Sequence, residues 1–226
     1  MPTVLLIRHG RTAANAAAVL AGRSPGVDLD EEGRRQVTAL ARRAAEVPLT
    51  RMVASPMQRT VATARILLGG LAQAPQLLVD ERITECDYGE WTGKQLTDLA
   101  QEPMWRTVQV HPSAAVFPGG EALAAVAARG VAAIRSHDAV VRAEHGEHAV
   151  WAAVSHGDII KAVLADALGT HLDQFQRISV GPCSVSVVTY TEHRPFVVRM
   201  NDVGGDLAGL VPPPAADGDA AVGGGS

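Results

Sequence analysis

Cysteine is scarce in this chain: Cys86 and Cys183 are the only two among 226 residues, and they form neither a CxxC pair nor a disulfide framework. That fits a reducing compartment, and both read as small buried side chains. Long apolar runs are also missing. The amino-terminal stretch Met1 to Ile7 meets Arg8 and His9 within a few residues, too soon for a signal peptide core or a membrane span. The expectation is a soluble, cytoplasmic protein with no membrane partner. There is no excess of positive charge, because 20 Lys and Arg face 24 Asp and Glu for a net −4. Broad electrostatic attraction to nucleic acid or to an anionic membrane is thereby disfavoured, and any anion must meet a local basic cluster. No GxGxxG follows the first apolar run, so a dinucleotide-binding oxidoreductase lacks its motif. There is no internal repeat.

What is present suffices for a folded core, since 47% of residues are hydrophobic and only 19% charged. Thr3 to Ile7, Arg51 to Ala54, Leu77 to Val79 and Ala149 to Val154 are short apolar runs that predict strands. Helical spacing separates them. Asp30 can cap a helix carrying Val37, Leu40, Ala41 and Ala44, and Val61, Ala64 and Leu68 recur on one face of the next. Ala122 to Glu144 is an alanine-rich helical stretch, and Ile159, Ile160, Val163, Leu164 and Leu168 form another buried helix. Two β-rich runs, Ser184 to Thr191 and Pro195 to Met200, end the pattern as an antiparallel edge. The alternation predicts an α/β fold, a three-layer α/β/α sandwich with a mostly parallel sheet whose ligand site lies beyond the carboxyl ends of its strands. Residues 1–203 are expected to form a single catalytic domain. Residues 204–226 are rich in Gly, Ala, Pro and Asp and read as a flexible tail.

Polar segments follow the strands. Arg8-His9-Gly10-Arg11-Thr12 through Asn15 puts a guanidinium, an imidazole, a flexible glycine and neutral donors at one strand end, which outlines a phosphate pocket. Ser155-His156-Gly157-Asp158 repeats the strand, His, Gly, helix arrangement far along the chain. Read singly, each is a surface turn or a structural histidine; paired at strand ends, the two can converge on one crevice. Ser55-Pro56 leads to Arg59 near a helix start, where exposed N–H groups favour anions. Glu85 to Trp91 is an acidic loop in which one carboxyl group can serve as acid and base, while Asp87 and Glu90 read as ordinary solvated acids. His145 and His148 at helical spacing read as a solvated pair rather than a metal site.

In this order the motifs resemble the histidine phosphatase superfamily, the phosphoglycerate-mutase-like group, from about Thr3 to about Asn201. They are Arg8-His9-Gly10 with Thr12 and Asn15, Ser55-Pro56 with Arg59-Thr60, Glu85 with Gly89 and Trp91, and Ser155-His156-Gly157. Phe117-Pro118-Gly119-Gly120-Glu121 looks like a turn of its shorter phosphatase-like members, and the whole looks like an actinobacterial "probable phosphomutase" subgroup. The resemblance implies that His9 is the nucleophile that becomes phosphorylated and that Arg8, Arg59 and His156 hold the phosphoryl oxygens. Asn15, with Thr12, adds hydrogen bonds, and Glu85 protonates the leaving oxygen and then activates water. No metal and no cofactor are implied. The partner is a small phosphorylated substrate, with a homodimer left open. Two departures stand out. Arg11 adds a cation near the pocket mouth, suggesting a more acidic substrate, and Ala122 replaces a common Ser. The segment between Glu85 and Gly120 has one short candidate helix, Lys94 to Gln101, and lacks a longer insertion that would keep water from the intermediate. Hydrolysis is therefore expected over mutase activity, with phosphomutase as the rival and a non-catalytic phosphate-binding protein as a third reading.

Overall fold

A computed structural model describes residues 1–205. The tail read from 204 onward lies outside the described residues except for Gly204 and Gly205. Strand β1 (Thr3–Arg8) is followed by the single turn α1 (Ala13–Ala16) and by α2 (Glu31–Ala44). Helix α2 begins where Asp30 accepts the Gly33 N–H at 2.7 Å, with Glu31 and Glu32 against its positive end. Then come β2 (Leu49–Ala54), α3 (Gln58–Gly69) and β3 (Leu77–Val79). The short helices α4 (Leu96–Leu99) and α5 (Trp105–Val110) precede the long α6 (Leu123–His145). Finally β4 (Val150–Ser155), α7 (Gly157–Ala167), β5 (Val185–Tyr190) and β6 (Pro195–Asp202) complete the element order.

The strands form one sheet in the order β3-β2-β4-β1-β5-β6. Parallel pairing links β3, β2, β4 and β1, whereas β5 runs antiparallel to both β1 and β6. The expected antiparallel edge is thus a pair of strands. Side chains of β1 alternate between two cores: Val4 and Leu6 join the one built with α6 and α7, while Ile7 joins the one built with α2 and α3. Helices on both faces make the three-layer sandwich. Gly130 of α6 lets α7 come close, since a Cβ there would sit 3.2 Å from Ile159 Cγ2.

Two elements differ from the sequence expectation. In α3 the buried face holds Arg59, Thr60, Thr63, Ala64 and Leu67, while Val61 and Leu68 are only half-buried. The helix can turn this way because its threonines satisfy their own hydroxyls: Thr60 Oγ1 donates to Ser55 O and Met57 O, and Thr63 Oγ1 donates to Arg59 O. The second is α5, hidden by a β-branched sequence of low helix propensity. It is held by buried Val108 and by Trp105 stacked on Trp91, ring centroids 6.2 Å apart.

Candidate active site

Strand register builds the site. Arg8 pairs with Ser155 across β1 and β4, so the next residue on each strand, His9 and His156, emerges side by side. Their ring centroids are 5.3 Å apart. Ala54 at the end of β2 pairs with Val154, which brings Ser55 to the same edge, and α3 then returns Arg59 over it. Gly10 follows His9 where a Cβ would lie 2.8 Å from Gly33 O, so the turn is pressed against α2. All of Arg8, His9, Thr12, Arg59, Glu85 and His156 are buried, and Asn15 is half-buried. Arg8, His9, Thr12, Asn15, Arg59 and Glu85 line one crevice together with Tyr88. The sequence-predicted residues are therefore brought together, with His156 directly behind Arg59.

Hydrogen bonds fix the tautomers. His9 Nδ1 lies 2.8 Å from Gly10 O, which only accepts, so the ring proton is on Nδ1. The other nitrogen, Nε2, keeps its lone pair and accepts from Arg59 Nε at 3.2 Å. Arg59 Nη2 also donates to Gly22 O at 2.8 Å and to His156 Nδ1 at 3.2 Å. His156 must then carry its proton on Nε2, which lies 2.7 Å from Ser55 Oγ. Burial, followed by the charges of Arg59 and Arg8, holds His9 well below the usual imidazole range. Burial and Arg59 do the same to His156. Both rings are neutral at pH 7, and His9 presents a basic nitrogen to the crevice. Arg59 Nη1 is buried with no acceptor, an unmet demand for an anion. Arg8 Nη1 donates to Val180 O at 2.7 Å, which anchors its guanidinium.

Glu85 is the acidic counterpart. Burial, reinforced by Asp158 and opposed by Arg59 and Arg8, pushes its carboxyl group up to about 7. A group half-protonated at neutral pH can both give and take a proton. Its loop is clamped from the main chain, since Glu85 O accepts from Arg23 Nε at 2.9 Å and from Arg129 Nη2 at 3.1 Å. Glu121 closes the clamp by accepting from both guanidiniums at 2.8 to 3.0 Å. Sequence reasoning missed this Arg23–Glu121–Arg129 clamp because its members are far apart in the chain. It also missed Asp158, which the sequence shows only as an acid in a helix's first turn. Asp158 is buried and accepts from Tyr88 OH at 2.7 Å.

Two expectations change. The Thr12 hydroxyl, in the crevice lining, caps α1, accepting from Asn15 N at 3.2 Å and donating to Asn15 Oδ1 at 3.0 Å. Thr12 orients Asn15, whose amide nitrogen stays available. Arg11 does not line the crevice, and its Nε is tied to Asp30 Oδ2 at 2.9 Å. Ala122 leaves α6 without a side-chain cap, which is where a Ser would act. Among the described residues no three His, Cys, Asp or Glu side chains are grouped as a metal would need, and no helix is long and apolar enough to cross a membrane.

Comparison with known proteins gives a consistent picture. The profile of the histidine phosphatase superfamily (branch 1) matches residues 4–203. Phosphoserine phosphatase 1 of Hydrogenobacter thermophilus is 30% identical over 209 residues, covering 89% of this chain and 92% of that protein. "Probable phosphoglycerate mutase GpmB" of Proteus mirabilis is 30% identical over 217 residues, covering 93% and 95%. Among solved structures, Bacillus stearothermophilus YhfR superposes with a TM-score of 0.80 at 25% identity, covering 89% of this chain and 98% of that one.

Proposed function

Because the chain belongs to branch 1 of the histidine phosphatase superfamily, we propose that it is a metal-independent phosphatase of small phosphorylated metabolites in which His9 carries the phosphoryl group. One observation supports this most: register sets two neutral histidines side by side, bridged by a buried Arg59 that still lacks one acceptor. A phosphoryl group supplies that acceptor.

In the first step the phosphoryl group takes over the Arg59 Nε donor, freeing the His9 Nε2 lone pair to attack phosphorus in line as the bond to the leaving oxygen breaks, and Glu85 gives its proton to that oxygen. Arg8 and Arg59 neutralise the equatorial oxygens, with Asn15 as a neutral donor, while uncharged His156 orients Arg59 through Nδ1. In the second step the Glu85 carboxylate takes a proton from water, whose oxygen attacks phosphorus and breaks the N–P bond. Inorganic phosphate leaves, and the Glu85 carboxyl group and neutral His9 are restored. The positive charge that a phosphoryl group needs comes from two guanidiniums held in place before it arrives, so no metal ion enters either step.

Phosphoserine phosphatase 1 among the relatives favours hydrolysis, while the GpmB proteins favour the second reading, a phosphomutase returning the phosphoryl group to substrate. The segment from Glu85 to Gly120 carries only α4, α5 and short turns, with no longer insertion to cover the site, which supports hydrolysis. The test incubates the protein with 3-phosphoglycerate plus catalytic 2,3-bisphosphoglycerate, and in parallel with p-nitrophenyl phosphate. Phosphate release exceeding 2-phosphoglycerate formation is expected. Isomer formation outpacing phosphate release would make the enzyme a mutase.

A further inference from the structure

Resting on that proposed hydrolysis at His9, we infer that the preferred leaving group is an uncharged, largely apolar alcohol, so that alkyl or aryl monoesters without a second anionic group are the best substrates. Beyond the reacting groups, the crevice wall is made by Ala18, Val19, Leu20, Ala21 and Leu96. That wall is a built surface. Val19 pairs with Gln95 as an isolated bridge, Leu20 N donates to Lys94 O at 3.0 Å, Leu96 N to Ala18 O at 2.9 Å, and Gly93 N to Leu20 O at 2.8 Å. Two loops are thus zipped together, and their apolar residues line the crevice beside the reacting groups.

Among the described residues no further cation lines the crevice for a second anion: the only ones there are Arg8 and Arg59, which the phosphoryl group needs. Arg11 is committed to Asp30 at 2.9 Å, and Arg23 to Glu121 at 2.8 Å with Asp87 at 4.0 Å. Lys94 faces Glu102 at 3.8 Å. Residues 206–226 contain no Lys, Arg or His. A carboxylate on the leaving group would lose water against this wall with nothing to replace it. A methylene there gains about fourfold when fully buried, less when partly so. An apolar leaving group runs against the acidic substrate expected from Arg11.

The experiment measures kcat/KM of the wild-type protein on methyl, butyl and hexyl phosphate, glycerol 3-phosphate, 3-phosphoglycerate and phosphoserine, with p-nitrophenyl phosphate as the reactivity control. The leaving groups are all alcohols save in the control, so the chain-length comparison holds the chemistry fixed. Hexyl over methyl phosphate should gain at least about thirtyfold, from about two- to fourfold per methylene over five methylenes, with the two carboxylated substrates below butyl phosphate. Leu96→Arg, which puts a cation on the wall, should lower the ratio of hexyl phosphate to 3-phosphoglycerate by about tenfold or more. A series flat with chain length, or 3-phosphoglycerate or phosphoserine as the best substrate, overturns the inference and leaves hydrolysis at His9 standing. No phosphate from any ester, the p-nitrophenyl one included, overturns the hydrolase reading and this inference with it.

Discussion

Asp158→Asn should move Glu85 away from its working range without moving any group that touches substrate. Asp158 is 1% exposed, accepts from Tyr88 OH at 2.7 Å, and has no donor on Oδ1. After burial, its charge is the main influence raising Glu85; Arg59, the Cys86 N–H and Arg8 pull the other way. Buried Lys161, one turn along α7, donates to Gln176 Oε1 at 3.0 Å and remains in the variant. With Glu85 at about 7, half of it holds a proton at pH 7. Losing the Asp158 charge lowers that value. A fall of one unit leaves about one molecule in eleven protonated, a loss of about fivefold, and two units about fiftyfold. Because the first step needs protonated Glu85, kcat/KM for butyl phosphate is flat below this value and falls above it. In the variant this basic limb should shift to lower pH by at least about one unit. The substrate's own ionisation is common to both proteins and cancels in the comparison. With p-nitrophenyl phosphate, whose leaving group needs little protonation, the limb should scarcely respond. A limb unmoved in Asp158→Asn, or moved equally on both substrates, refutes the reasoning.

Other outcomes follow from the same geometry. Glu85→Gln should cut turnover of butyl phosphate by about 10² to 10⁴ and of p-nitrophenyl phosphate far less; equal losses would give Glu85 another role. Gly33→Ala puts a Cβ 2.0 Å from Arg11 O and 2.7 Å from Arg11 N, backbone atoms of the His9 turn. It should cost about 1–3 kcal/mol in urea unfolding, and a change within about 0.5 kcal/mol would contradict the close approach. Ala122→Ser supplies the missing cap of α6, adding about 1 kcal/mol and raising Tm by about 2–4 °C. A lowered Tm would show the hydroxyl cannot reach the N–H groups.

The strand ends were legible because each motif is contiguous: a buried apolar run, then His or Ser, then a helix. Parallel register supplies the rest, converting adjacency on two strands into the pairing of His9 with His156. Features assembled from separate segments were not legible. The clamp on the Glu85 loop joins Arg23 to Glu121 across 98 positions, and nothing local marks either residue. Asp158 sits where any helix start welcomes an acid, so its burial beneath Tyr88 was hidden by an ordinary explanation. Arg11 erred in the other direction, its charge visible and its partner Asp30 on the next helix cap not. In α3 the threonines read as polar, yet their hydroxyls bond to the backbone and the residues go inside.

The central claim is the phosphohistidine on His9. Its most direct test is rapid quenching of the enzyme with a ³²P-labelled monoester, followed by peptide mapping of the denatured protein. The label should be lost in acid, stable in base, confined to the peptide containing His9 and absent from His9→Ala, because a nitrogen–phosphorus bond hydrolyses in acid where a phosphoserine survives. An acid-stable label, a label on another residue, or undiminished labelling of His9→Ala would contradict it.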